Sequence, residues 1–91
     1  MPLTVGELQT TDLRALREWI IRWVAGELGV RPQEVDCEAA FDDMGLSSIQ
    51  AVSMAGELEE MLGLKVDPDV AWEFPTIAQL VAHLAISNGM A

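Results

Sequence analysis

Apolar residues recur at three- and four-residue steps along three segments of the chain, with polar residues between them. This spacing places the apolar side chains on one face of a helix. The first segment predicts a helix over residues 12–28, with Thr11 or Asp12 as its cap and Gly29 as its stop. Its predicted buried stripe comprises Leu13, Leu16, Ile20, Trp23, Val24 and Leu28.

Two further helices are predicted where a hydroxyl residue is followed three positions later by Gln, the pattern of a capping box. Residues 47–50 (Ser-Ser-Ile-Gln) predict a helix over residues 48–62, ended by Gly63. Residues 76–79 (Thr-Ile-Ala-Gln) predict a helix over residues 77–86. The capping patterns thus locate the starts of both helices.

A long loop over residues 29–47 separates the first two helices. A connection of this length in a small domain is usually packed or functional. Val35, Phe41, Met44 and Leu46 are predicted to pin it to the core.

A short helix is predicted within residues 69–74, with Trp72 as a core plug beneath it. There are no strand patterns and no repeats, so the predicted fold is all-α. It is a small four-helix bundle, with a short third helix and a long loop between the first two helices. Residues 1–11 and 87–91 lack a period and are predicted to be a flexible lead-in and tail, which leaves a domain over residues 12–86.

Composition and charge restrict the function. With 51% hydrophobic residues in 91, the chain is one globular domain too small for a deep substrate cavity. Fifteen acids against five bases give a net charge of −10, which disfavours binding to nucleic acid or to an anionic membrane surface. Residues 36–91 hold ten of the acids and a single base, Lys65. We therefore expect partners with basic docking surfaces and a monomeric domain.

The single cysteine, Cys37, excludes an internal disulfide and a cysteine-based zinc site. It is compatible with a reducing compartment, and we expect a cytoplasmic location. No apolar run approaches the length of a membrane-spanning helix, and no metal site is predicted.

Ser48 is the candidate for chemistry. If Ser47 caps the helix, Ser48 is its first residue, and its side chain points outward near free backbone amides. The helix dipole would favour a phosphate ester there by about 0.3–1 kcal/mol. The alternative is that the serine pair only caps the helix.

Residues 41–52 (Phe-Asp-Asp-Met-Gly-Leu-Ser-Ser-Ile-Gln-Ala-Val) resemble the signature of acyl carrier proteins, which reads Gly, hydrophobe, Asp, modified Ser, then Leu or Ile. The matching residues are Gly45, Leu46, Ser48 and Ile49; Ser47 stands where the family usually has Asp. Residues 72–84 (Trp-Glu-Phe-Pro-Thr followed by a helix) resemble the end of polyketide-synthase carrier domains. The resemblance spans residues 12–86.

The resemblance implies that a phosphopantetheinyl transferase attaches the 4'-phosphopantetheine arm of coenzyme A to Ser48. The thiol of the arm, not Cys37, would then carry an acyl group as a thioester. Ketosynthase, acyltransferase and other synthase domains would act on this cargo, so the chain would be a carrier and not an enzyme. The Gly45-Leu46-Ser47 sequence favours the polyketide or fatty-acid type over peptidyl carriers.

Predicted docking residues flank Ser48 or carry negative charge along the second main helix. The spacing assigns Ile49, Val52 and Ala55 mainly to the core side of that helix. It leaves Met54 as the exposed contact. The predicted docking set is Leu46, Ile49, Met54, Glu57 and Glu60.

Three alternatives remain from sequence. A peptidyl or fatty-acid carrier would share the attachment chemistry. An acidic helical adaptor would use the serine pair only as a cap. A small serine hydrolase would need His83 to reach Ser48, but His83 is predicted to lie on a solvated face, and no nucleophile-elbow motif surrounds Ser48.

Overall fold

A computed structural model describes residues 13–89, and these residues form four α-helices. They are α1 (Leu13–Leu28), α2 (Ser48–Leu62), α3 (Val70–Glu73) and α4 (Ile77–Ser87). A 3₁₀ turn at Pro32–Glu34 interrupts the long first loop. The all-α four-helix prediction is confirmed. The predicted lead-in and the Thr11 or Asp12 cap lie outside the described residues, which contain no helix able to cross a bilayer.

The core forms where the apolar faces of the three longer helices meet. Each contributes side chains at steps of three and four residues, so they share one face of their helix. α1 contributes Leu16, Ile20, Val24 and Ala25; α2 contributes Ala51, Met54, Ala55 and Leu58; α4 contributes Ile77, Leu80, Leu84 and Ala85.

The long first loop is anchored beside the start of α4. Phe41 and Leu46 are buried in the core, as predicted for this loop. The Phe41 backbone N–H donates to the Pro75 carbonyl at 2.8 Å, and Ala40 forms an antiparallel bridge with Thr76. These contacts hold the loop immediately before α2 in one place.

The predicted buried face of α2 is only partly right. Of the three residues assigned to the core side, Ala55 lies in the core, whereas Ile49 is 79% exposed and Val52 is 45% exposed; Met54, the predicted exposed contact, is fully buried. α2 carries apolar residues on both faces, so spacing alone did not identify the packed one. Packing selects the face with two alanines, Ala51 and Ala55, which allow close approach of neighbouring elements.

The predicted burial of Trp72 is also wrong, because the single turn of α3 turns other side chains toward the core. Val70 and Ala71 are buried, whereas the Trp72 side chain is 65% exposed. The prediction that His83 lies on a solvated face is wrong as well. Its ring is partly buried and stacks on Phe74, with ring centroids 4.0 Å apart.

The last helix is tied down beyond its predicted end. Ser87 belongs to α4. The side chain of Asn88 accepts the Lys65 backbone N–H at 2.9 Å and donates to the Leu84 carbonyl at 3.1 Å. Asn88 thus connects the end of α4 to the segment that follows α2.

Candidate functional site

The start of α2 is a complete capping box. Ser47 is extended (φ −78°, ψ 164°), and its Oγ accepts the Gln50 backbone N–H at 3.1 Å. The Gln50 Oε1 accepts the Ser47 backbone N–H in return at 2.9 Å. At the other end, Gly63 takes the left-handed conformation (φ 65°) that ends the helix. Both ends of α2 were predicted correctly.

Ser48 is the first residue of α2 and is exposed. Within residues 13–89 its hydroxyl has no hydrogen-bond partner, whereas the Ser47 hydroxyl is occupied as the cap. Backbone amides at a helix start point toward such a position and favour negative charge there. The free hydroxyl of Ser48 is therefore the group suited to accept a phosphate ester.

A mainly apolar groove of about 290 Å³ opens beside Ser48, between α2, α3 and the end of the long loop. Asp42 is the charged residue that lines it. The indole of Trp72, which was predicted to fill the core under α3, instead lies exposed at the edge of this groove. The lining residues are Phe41, Asp42, Leu46, Ser47, Ser48, Ala51, Ala71, Trp72 and Pro75.

These residues fit a phosphopantetheine arm on Ser48. The free hydroxyl and the helix start suit its phosphodiester. The apolar groove alongside suits the methyl and methylene groups of the arm.

Two hydrogen bonds between described side chains join α1 to α2, one at the start of α2 and one just beyond its middle. The Gln50 Nε2–H donates to the Glu27 Oε1 at 3.0 Å, close to Ser48. The Trp23 Nε1–H donates to the Glu57 Oε2 at 2.9 Å, more than two helical turns along α2. Sequence reasoning missed Glu27, and no pattern in the chain pointed to it, because its partner lies 23 residues away.

The structure separates the predicted docking residues. Ile49, next to Ser48, and Glu57 and Glu60 are exposed on α2. Met54 is fully buried and Leu46 is only 5% exposed, so neither presents a side chain for docking. Leu46 instead packs under the groove, which agrees with its predicted place in the core.

A second hollow of about 440 Å³ lies between α1 and α2, on the side where Trp23 meets Glu57. It is larger than the groove at Ser48 but holds no hydroxyl or thiol nucleophile. Its lining residues are Ala15, Glu18, Trp19, Arg22, Trp23, Glu57 and Met61. The larger hollow therefore lacks a group that could form a phosphate ester, whereas the groove beside Ser48 has one.

Cys37 lies outside the groove. Burial raises the pKa of its thiol above the ordinary value, Asp36 and Glu38 raise it further, and Arg17 opposes them. A raised pKa reduces the thiolate fraction near neutral pH, so Cys37 is a poor nucleophile.

Comparison with known proteins shows the family of the chain. The family model described as "Phosphopantetheine attachment site" matches residues 18–84. A phenolphthiocerol/phthiocerol polyketide synthase polypeptide of Mycobacterium tuberculosis is 46% identical over 70 residues, which are 77% of this chain and 4% of that protein. The chain thus spans a small fraction of the length of this curated relative.

Solved structures of carrier proteins share the fold, and two of them are also similar in sequence. A free-standing peptidyl carrier protein from Acinetobacter baumannii is 35% identical with a TM-score of 0.76, covering 82% of this chain and 94% of that one. An acyl carrier protein from Anabaena sp. PCC 7120 with a variant phosphopantetheinylation-site sequence is 34% identical, with a TM-score of 0.77. That match covers 85% of this chain and 88% of the Anabaena chain.

Proposed function

Because this chain belongs to the family of phosphopantetheine-attachment domains, we propose that Ser48 is its attachment residue and that a phosphopantetheinyl transferase modifies it. The family consists of carrier domains that hold 4'-phosphopantetheine and are not themselves catalysts. The observation that carries the assignment to Ser48 is its exposed, unbonded hydroxyl on the first residue of α2.

The protein's part in the modification is to present one oxygen. The Ser48 Oγ forms a bond to phosphorus as the pyrophosphate linkage of coenzyme A breaks. The nucleotide half leaves as the 3',5'-bisphosphate, and the Oγ proton passes to a base of the transferase. When attached, the arm supplies a thiol that holds an acyl group as a thioester.

The presence of Ser47 where the resemblance leads one to expect Asp does not remove this function. Ser and Asp are about equally good helix caps. The Ser47 hydroxyl is already engaged as the acceptor of the Gln50 N–H, which leaves the Ser48 hydroxyl as the free one. The Anabaena carrier, whose site sequence is also described as a variant, supports the view that carriers tolerate change at this site.

The partners are synthase domains such as a ketosynthase and an acyltransferase, which take the cargo in turn. The 46% identical relative is part of a polyketide synthase, which favours polyketide cargo over the peptidyl alternative. Glu57 and Glu60 on α2, with Ile49 beside Ser48, form the docking surface for basic patches. The isolated domain is monomeric, and its compartment is the cytoplasm, with which a single free cysteine is compatible.

The test is intact-protein mass after incubation with coenzyme A, Mg²⁺ and a phosphopantetheinyl transferase of broad specificity. Wild type and Ser47→Ala should each gain one phosphopantetheine, and Ser48→Ala should gain none. Absence of a gain in folded wild type with several transferases would contradict the proposal. It would favour the acidic adaptor, whose binding needs no modification.

A further inference from the structure

Gln50 makes hydrogen bonds in two directions at the start of α2. Through its backbone N–H and its Oε1 it closes a ring with Ser47, and the chain of that ring passes through Ser48. Through its Nε2–H it donates to the Glu27 Oε1 at 3.0 Å, one residue before the end of α1. One side chain therefore caps the turn that carries Ser48 and ties that turn to another helix.

Capping alone does not require this second bond. Gln79 occupies the equivalent place in α4, and its backbone N–H donates to the Thr76 hydroxyl at 3.1 Å. Within the described part of the chain, the Gln79 side chain makes no hydrogen bond to another helix. The hydrogen bond from Gln50 to Glu27 is therefore not part of the cap itself. It occurs at the start of α2, where the exposed Ser48 lies, and has no counterpart among the described residues at the start of α4.

We infer that Gln50 and Glu27 are positioning residues for the modification of Ser48, an inference that rests on the function proposed above. The hydrogen bond from Gln50 to Glu27, called the tether below, holds the first turn of α2 in a fixed direction relative to α1. The transferase then meets the Ser48 hydroxyl in one orientation and does not have to order the turn itself. Neither residue touches the reacting atoms; both act through the turn.

Four variants distinguish the effect of the tether on loading from the effects of the helix cap and of the Glu27 charge. Glu27→Ala removes the acceptor. Glu27→Gln keeps an acceptor oxygen for Gln50 but loses the charge. Gln50→Glu keeps the return bond to the Ser47 N–H, since Glu also completes a capping box, but it sets two carboxylates against each other. The double variant Glu27→Lys with Gln50→Glu restores the tether with the charges exchanged.

A control removes the other bond between the same two helices. Trp23→Phe deletes the indole N–H that donates to Glu57, far from Ser48 along α2. It should lower the unfolding midpoint at least as much as Glu27→Ala does, without loosening the turn at Ser48.

The measured quantities are kcat and KM for loading of the full apo chain by the transferase. Intact-protein mass monitors the loading, at a temperature where all variants are folded. For Glu27→Ala and Gln50→Glu we expect kcat/KM to fall about three- to tenfold, the range for one lost hydrogen bond. Glu27→Gln, the double variant and Trp23→Phe should stay within about twofold of wild type. Amide hydrogen exchange at residues 50 and 51, whose N–H groups donate to Ser47, should quicken in the two impaired variants and not in Trp23→Phe.

Three results would overturn the inference while leaving Ser48 as the attachment residue. Wild-type loading rates in Glu27→Ala and Gln50→Glu would make Gln50 only a cap. An equal loss in Glu27→Gln and Glu27→Ala would assign the effect to the charge of Glu27. A loss that follows the unfolding midpoint, Trp23→Phe included, would make the tether merely structural. Failure of wild type to load at all would instead contradict the proposed function itself.

Discussion

The starts of α2 and α4 carry the same local sequence signal in different surroundings. At both, a hydroxyl oxygen accepts a Gln backbone N–H at 3.1 Å. At α2 the next residue, Ser48, is exposed beside an open groove. At α4 the next residue, Ile77, is fully buried, and Thr76 is bridged to the long loop through Ala40.

The difference shows that a capping signal determines where a helix begins but not how its first residue is used. That depends on what packs against the turn. The loop covers the start of α4 and makes it a structural joint, whereas the start of α2 is left open and holds a free hydroxyl. The two glutamines differ accordingly: Gln50 completes its box and reaches Glu27, whereas Gln79 completes only half of the predicted box.

The largest expected contrast is in stability. Ile77→Ala should lower the free energy of unfolding by about 2–5 kcal/mol, because it leaves a cavity in the core. Ser48→Ala removes an exposed, unbonded hydroxyl and should change it by less than about 0.5 kcal/mol. Urea unfolding followed by circular dichroism measures both. Similar losses would show that Ser48 is part of the packed structure.

Removal of either helix cap should have the next largest effect on the free energy of unfolding. Ser47→Ala and Thr76→Ala should each cost about 0.5–2 kcal/mol of unfolding free energy, because each leaves a backbone N–H without its acceptor. The loss should be greater at Thr76, whose surroundings are less exposed. Ser47→Asp should retain wild-type stability in the same urea measurement. A larger loss at Ser47 would reverse the comparison.

A smaller difference should separate the two glutamines. Gln50→Ala loses one hydrogen bond to Ser47 and one to Glu27, and should cost about 0.5–1.5 kcal/mol. Gln79→Ala loses no side-chain bond and should remain within about 0.5 kcal/mol of wild type. Thermal unfolding of the two variants side by side would detect this, and equal losses would contradict it.

The smallest effect concerns Cys37, whose carbonyl accepts the Ala78 N–H at the start of α4. Because burial raises the pKa of its thiol, less thiolate is present near neutral pH than in free cysteine. Alkylation by iodoacetamide should therefore be slower than that of free cysteine, and should accelerate in urea. Equal rates in the folded chain and in free cysteine would show an open thiol.

Helix boundaries were predictable because local chemistry determines them. The predicted 48–62 agrees with Ser48–Leu62, and the predicted 77–86 is one residue short of Ile77–Ser87. Hydroxyl caps and the left-handed Gly63 act over a few residues and can be read from the chain. The face of α2 was not predictable in this way, because both sides carry apolar residues and only tertiary packing buried Met54 in place of Ile49.

The site divides along the same line. Ser48 was found from its neighbours at 45–49, since its exposure follows from the capping box. The groove and the tether come from other elements: Trp72 from α3 and Glu27 from α1. No local spacing joins these residues to Ser48. Asp42 could have been predicted to line the groove, because it lies within the signature segment at residues 41–52.

The central claim is that the exposed hydroxyl of Ser48, and not the capping hydroxyl of Ser47, takes the phosphopantetheine. The most direct measurement is tandem mass spectrometry of a peptide spanning both serines, taken from wild-type protein loaded by the transferase and fragmented without loss of the phosphodiester. We expect that fragments broken between Ser47 and Ser48 place the added mass on Ser48. Added mass on Ser47, or a peptide left unmodified in folded protein, would contradict it.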